Sequence, residues 1–221
     1  VRHVSSGLGG QVSPDGYSIN TAQPPFQPSG IPPAPDDATR MGANPKGVKI
    51  GTIESGEPVP PQTATTIGDT LSAKGVSWAW YAQAFNQAVA DGMQPSDEKR
   101  KVIYHRGDGS PNFQAHHQPF NYFSRYAPGT AARAEHLRDG TEFLRDIEKG
   151  TLPSVSFYRP SGVDNQHPAY TDIMTGDAHI ASLLEKLKAS PQWKDMLVIV
   201  TYDENGGYWD HVSPPTGPGW G

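Results

Sequence analysis

The sequence predicts an α/β fold, with a central sheet flanked by helices. Three features point to it. From Thr63 onward, short runs rich in β-branched and aromatic residues alternate with segments of helical period. Met196-Leu197-Val198-Ile199-Val200-Thr201-Tyr202 is a continuous apolar run between short helical segments, the pattern of a parallel strand buried on both faces. Glycine and proline, 24 and 22 of 221 residues, concentrate in the first third and between these segments.

Residues 1–63 read as an irregular excursion packed on the domain. Pro24-Pro25-Phe26-Gln27-Pro28 and Ile31-Pro32-Pro33-Ala34-Pro35 cannot form a helix or a central strand, because proline lacks the N–H and fixes φ. Val12, Tyr17, Ile19, Phe26 and Ile31 give the stretch apolar anchors. Residues 64–221 are expected to form the α/β domain. Thr66 to Lys74 reads as a short helix: Thr66 and Asp69 resemble a capping box, Ile67 and Leu71 share a face, and Gly75 suits the position after the C-cap. Val76 to Tyr81 has strand composition, with Trp78 and Trp80 on one face as core candidates. Ala82 to Ala90 is expected to be helical. Ala131 to Arg138 and Thr141 to Lys149 read as a helix broken at Gly140, and His136 takes a solvated face by default. Leu152 to Tyr158 is the next strand. Thr175 to Ala189 has the clearest helical pattern, with Ile180, Leu183, Leu184 and Leu187 at i, i+3, i+4 and i+7 and Asp177 as N-cap.

Composition excludes several classes. No window approaches the 18 or more apolar residues of a membrane-spanning helix, and mean hydropathy is −0.60. A net charge of −5 with pI near 5.9 argues against a nucleic-acid partner. Without cysteine there is neither a disulfide framework nor a zinc-thiolate site. The chain starts at Val1 without a signal segment and stops in a Gly/Pro run, so it reads as a fragment of a longer protein.

The strongest chemical signal is Tyr202-Asp203-Glu204-Asn205-Gly206-Gly207. Two carboxylates at the C-terminal end of a buried strand sit where open α/β sheets bind ligands. Both can meet at one point if a cation neutralises them, and hard oxygens suit Ca²⁺, Mg²⁺ or Mn²⁺. A solvated turn explains the same residues. His116-His117, in an aromatic loop, suits a ligand pair or a pair of phosphate donors, or simply loop packing. His179 falls in the first turn of the expected 177–189 helix, where free N–H groups favour an anion. Trp209-Asp210-His211 offers a local Asp–His hydrogen bond or a pocket wall. His3, His105 and His167 are assigned to structure or surface.

Several blocks in order resemble one family: Thr66-Ile67-Gly68-Asp69-Thr70-Leu71-Ser72, Gly75 to Tyr81, His116 to Phe123, Leu152 to Phe157, His167-Pro168, Gly176-Asp177-Ala178-His179, and Tyr202 to Val212. Together they are similar to the bacterial phosphoesterase family that contains acid phosphatase A and the non-haemolytic phospholipases C, nearest the acid phosphatase branch. The resemblance implies an alkaline-phosphatase-like sheet, here incomplete at both ends, and hydrolysis of phosphate esters through a hydroxyl nucleophile and one divalent metal, Ca²⁺ or a similar hard ion. It implies metal ligation by Asp203 and Glu204. It gives His116, His117 and His179 catalytic roles, stabilising phosphate oxygens or protonating the leaving group. Small phosphomonoesters are the expected substrate, with phosphatidylcholine-type phospholipids or a non-catalytic secreted binding module as alternatives. The expected location is periplasmic or secreted. The family's upstream Glu-Asn metal pair and nucleophile segment have no match ahead of Thr66, so no nucleophile is nominated and the chain alone is expected to be inactive.

Overall fold

The computed structural model describes residues 23–36, 41–44, 58–95, 97–204 and 211–213. Its centre is the strand β1 (Trp78–Ala82), paired in parallel with β2 (Leu137–Asp139) on one side and β3 (Val155–Arg159) on the other, in the order β2-β1-β3. Trp80 lies opposite Leu137, and Trp78 opposite Val155. Backbone bonds from Val155 N to the Ser77 carbonyl and from Gln83 N to the Arg159 carbonyl, both 3.0 Å, extend the β1–β3 ladder. Helices α1 (Ile67–Ala73), α2 (Phe85–Gly92), α3 (Ala131–His136), α4 (Gly140–Lys149) and α5 (Ile173–Ala189) flank this small sheet, an α/β arrangement as the alternation of patterns predicts.

The period of two along β1 divides the core. Trp78 and Ala82 belong to one cluster, with Phe85, Ile103, Phe113, Phe120, Tyr126 and Leu137, and Trp80 packs against it. Ala79 and Tyr81 belong to the other, with Phe143, Ile147 and Leu187. Both tryptophans are therefore core residues, as expected. Trp78 stacks on His136 with ring centroids 4.0 Å apart. Tyr81 donates through its hydroxyl to Asp146 at 2.8 Å.

Capping fixes the helix starts. At α1 the Thr66 hydroxyl accepts from Asp69 N at 3.2 Å, and Thr66 N donates to Asp69 Oδ2 at 2.7 Å, so the capping box forms. At α4 Asp139 accepts from Thr141 N and Glu142 reaches back to Asp139 N, while Gly150 ends the helix at φ 64°. Asp139 Oδ2 also accepts from Asn86 N at 2.9 Å. That bond satisfies a first-turn donor of α2, whose own cap residue Ala84 supplies no side-chain bond.

The described part of the proline-rich stretch is buried around Gln27, Ser29 and Ile31. Arg133 of α3 fastens it, donating to the Gln27 carbonyl and to Asn121 Oδ1, while Asn121 Nδ2 donates to the Pro28 carbonyl at 3.3 Å. Burial lowers the Arg133 pKa to about 10.

Four local expectations are corrected. The helix from Ala131 stops at His136, and Leu137–Asp139 forms β2. Three residues are too few to show a period, and pairing with β1 decides their state. His136 is 6% exposed, held by the Trp78 stack and a 2.9 Å bond to the Trp78 carbonyl, and does not lie on a solvated face. Helix α5 begins at Ile173 with Asp172 as N-cap, its carboxylate accepting from Thr175 N at 2.7 Å, so Asp177 lies inside the helix. Met196 to Tyr202 is not a strand among the described residues. Met196 and Val198 pack against the Tyr81 cluster, but Leu197 is 86% and Ile199 76% exposed, so one face of the run is covered and the other is not.

Gly68 provides a test of the packing. A Cβ there would lie 2.3 Å from the Trp78 ring and 2.7 Å from the Tyr126 hydroxyl. Alanine gains up to about 1 kcal/mol in helix propensity, but overpacking a core costs about 1–3 kcal/mol. Gly68→Ala is therefore expected to lower the urea midpoint with an unchanged m-value; a raised midpoint would contradict the packing described.

Candidate functional site

The C-terminal edge of a parallel sheet gathers polar groups where strands end and loops begin. β1 ends at Ala82 and delivers Gln83. β3 ends at Arg159, followed by the loop carrying Ser161, Asp164 and Asn165. The 3₁₀ turn Ala115–His117 brings His116 and His117 to Arg159, their rings meeting edge-to-face at 4.4 Å.

Arg159 is the hub. Its Nη2 lies 3.0 Å from His117 Nε2 and 2.7 Å from Asp203 Oδ2. A guanidinium only donates, so His117 Nε2 accepts and the ring proton sits on Nδ1. That Nδ1 and Arg159 Nε are buried and have no hydrogen-bond partner among the described residues. His116 is anchored by Tyr104, whose hydroxyl lies 2.8 Å from Nδ1, with the two rings stacked.

Electrostatics keep both imidazoles neutral. Burial first, then the Arg159 charge, lowers the pKa of His116 to about 4 and of His117 to about 2. Burial raises the Asp203 carboxyl, but its hydrogen bond and ion pair with Arg159 outweigh that and hold it below the ordinary carboxylate range.

His179 is held separately. It lies in the second turn of α5, because that helix begins at Ile173, so it does not line the helix N-terminus. Tyr158 OH lies 2.9 Å from its Nε2, and Asp164 Oδ2 is 3.5 Å from its Nδ1. Gln83 links this pair to the sheet, donating to Asp164 at 2.7 Å and accepting from Ser161 N at 2.9 Å. Tyr158 and Arg159 are consecutive in β3 and point to opposite faces. The structure thus joins His117 and Asp203 through Arg159, with His116 against the His117 ring, Glu204 next to Asp203 and His179 reached from the other face of β3.

Asp203 and Glu204 are exposed, and Glu204 N donates to Asp203 Oδ1 at 3.1 Å. Their oxygens are of the hard type that Ca²⁺ prefers. Among the described residues, however, no group of three or more His, Asp or Glu side chains is assembled for a metal, and Asp203 already faces a guanidinium. The described donor set therefore does not fit a divalent cation. Asn205 to Asp210, including the double glycine and Trp209-Asp210, lie outside the described residues; His211 is exposed.

Sequence reasoning missed Arg159, Tyr104, Tyr158, Asp164 and Gln83. Arg159 had a signal: a charged residue at the C-terminal end of an expected parallel strand, one position past the boundary drawn at Tyr158. The others carry no motif, since tertiary contact alone brings them to the histidines.

The phosphoesterase family model matches residues 8–220, and the chain belongs to that family. It is 28% identical over 169 residues to the non-hemolytic phospholipase C of Burkholderia pseudomallei, a match covering 70% of this chain and 22% of the relative. It is 38% identical over 78 residues to phospholipase C A of Mycobacterium tuberculosis, covering 35% of this chain and 15% of the relative. It is 37% identical over 81 residues to non-specific phospholipase C6 of Arabidopsis thaliana, covering 34% and 15%. The matched stretches thus span well under a third of each of these relatives. No helix among the described residues is long and apolar enough to cross a membrane.

The depressed histidine pKa values fix a sign. The unfolded chain binds protons at these imidazoles from about pH 6.5 downward, while the folded chain resists protonation to about 4 at His116 and about 2 at His117. Between pH 6.5 and 4 the unfolded state therefore binds more protons, and stability falls as pH falls, by up to about 1.4 kcal/mol per pH unit for each histidine. Urea unfolding at pH 7 and pH 5 is expected to show this loss, and His117→Asn to reduce it. An equal loss in the variant would show that His117 becomes charged freely in the folded state.

Proposed function

We propose that this chain serves the hydrolysis of phosphoric esters, with His116, His117 and His179 as its catalytic histidines. One observation supports this above the others. Two tethered, buried donors, His117 Nδ1–H and Arg159 Nε–H, have no acceptor among the described residues, at the sheet edge of a phosphoesterase-family chain. Buried donors left unpaired are costly, and a phosphoryl group, rich in acceptor oxygens, satisfies them.

In this reading His117 donates from Nδ1 to a phosphoryl oxygen while Arg159 fixes its tautomer through Nε2. His116, neutral and anchored by Tyr104, offers Nε2 to the reacting group. His179 is held on the opposite face with Nε2 against Tyr158 and Nδ1 facing Asp164, so it takes part in proton transfer by exchanging one of these partners for the reacting group. The resemblance assigns a divalent ion of the Ca²⁺ type to Asp203 and Glu204, but the described residues do not fit it, so no step is routed through it.

Two substrate classes follow from different grounds. The motif resemblance favours a phosphomonoester and an acid phosphatase. The similarity to phospholipases C favours a phospholipid substrate. A periplasmic or secreted location belongs to the same proposal and rests on the resemblance.

The test uses the 221-residue chain with p-nitrophenyl phosphate, p-nitrophenylphosphorylcholine and the corresponding phosphonates, with Ca²⁺, Mg²⁺ or Mn²⁺ added. The expected result is binding of a phosphonate without turnover of either ester, and a loss of that binding of at least about tenfold in His117→Ala. The preferred phosphonate separates the monoester from the phospholipid reading. Failure of both to bind would overturn the proposal, and turnover by the chain alone would overturn its expected inactivity.

A further inference from the structure

Resting on that reading, we propose that Arg159 is the residue that recognises the phosphoryl group, and that Asp203 holds its guanidinium until an anion takes it.

Arg159 closes β3, its Cα paired with Ala82 and its carbonyl accepting from Gln83 N at 3.0 Å. The base of the side chain is thereby fixed by the sheet, and a rigid base is what oriented recognition needs. The guanidinium is a planar fork of five donors that matches phosphate oxygens two at a time. In the structure one nitrogen, Nη2, meets both His117 Nε2 and Asp203 Oδ2, while Nε, buried beside them, has no partner among the described residues. Among the described residues the fork thus has unused capacity next to His117 Nδ1, which likewise has no partner there.

Asp203 fits the part of a placeholder. Its side chain is 57% exposed and that of Arg159 24% exposed, so the pair lies at the rim, where an ion pair contributes little net stability. A doubly charged anion can displace it at small cost. With His116 and His117 neutral, Arg159 supplies fixed positive charge directly against the ring pair. His167 and Asp203 also act on His116 across the same space, and the Arg106 guanidinium lies over Tyr170, 4.4 Å from the ring centre, in the ring pair that includes His167.

Removing the Asp203 charge frees Arg159, so phosphate binds more tightly. If Asp203 instead held phosphate through a bridging cation, removing it would weaken binding. The test is calorimetric titration of the 221-residue chain with inorganic phosphate in EDTA, with circular dichroism of each variant as a folding check. Asp203→Asn is expected to tighten binding by about 3- to 10-fold, Arg159→Met to weaken it by at least about tenfold, and Arg159→Lys to fall between. Asp203 is exposed, so its variant tests the idea even if Arg159→Met fails to fold. Phosphate binding by the wild type with weaker binding in Asp203→Asn, or with unchanged binding in Arg159→Met, overturns this proposal and leaves the phosphoester reading standing. No phosphate binding by the wild type overturns both.

Discussion

The parallel pairing of β1 with strands on both sides is the constraint on which the rest of this structure depends. All five residues, Trp78 to Ala82, pair with β3, Trp80 to Ala82 pair also with β2, and every one but Trp80 is buried. Trp78 fills the space against Gly68, Phe120, Tyr126 and His136, while Tyr81 reaches the opposite layer and ends on Asp146. Asp146 in turn accepts from Arg138 and Arg145. Burial raises its carboxyl, yet the Tyr81 bond and these two arginines outweigh burial and hold it below the ordinary range. The Asp146 carboxylate under Tyr81 is thus compensated, which a buried charge requires.

The same ladder positions the site. Arg159 and Gln83 are strand-end residues whose backbones pair with each other, so the groups that tether His117 and Asp164 share one rigid base. A shared rigid base of this kind holds the tethered groups in fixed relative orientation. The charge pattern is equally specific: neutral imidazoles, one guanidinium against them, and a carboxylate at the rim. Such a site presents donors to an anion while leaving few buried charges to neutralise.

Elements with internal consistency were legible in advance. The Thr66–Asp69 capping box, the two core tryptophans of β1 and the period of α5 are local signals, and each appears in the fold. The 196–202 run misled, because an apolar run reports that its residues avoid water, not how many faces the neighbours cover. Here Met196 and Val198 have a neighbouring layer, while Leu197 and Ile199 face outward, and exposed Ile173 and Met174 at the start of α5 show the same incomplete cover.

For this protein the sequence by itself determined the α/β class, the family and the histidine and carboxylate candidates, because caps, periods and clustered motifs are written in contiguous residues. Tertiary structure alone decided that Leu137–Asp139 is a strand, that His136 belongs to the core, and that Arg159 joins His117 to Asp203. Those outcomes depend on contacts 42 to 58 residues apart in the chain. No local pattern encodes such contacts: they follow from which side chains the β1 ladder brings within hydrogen-bonding distance.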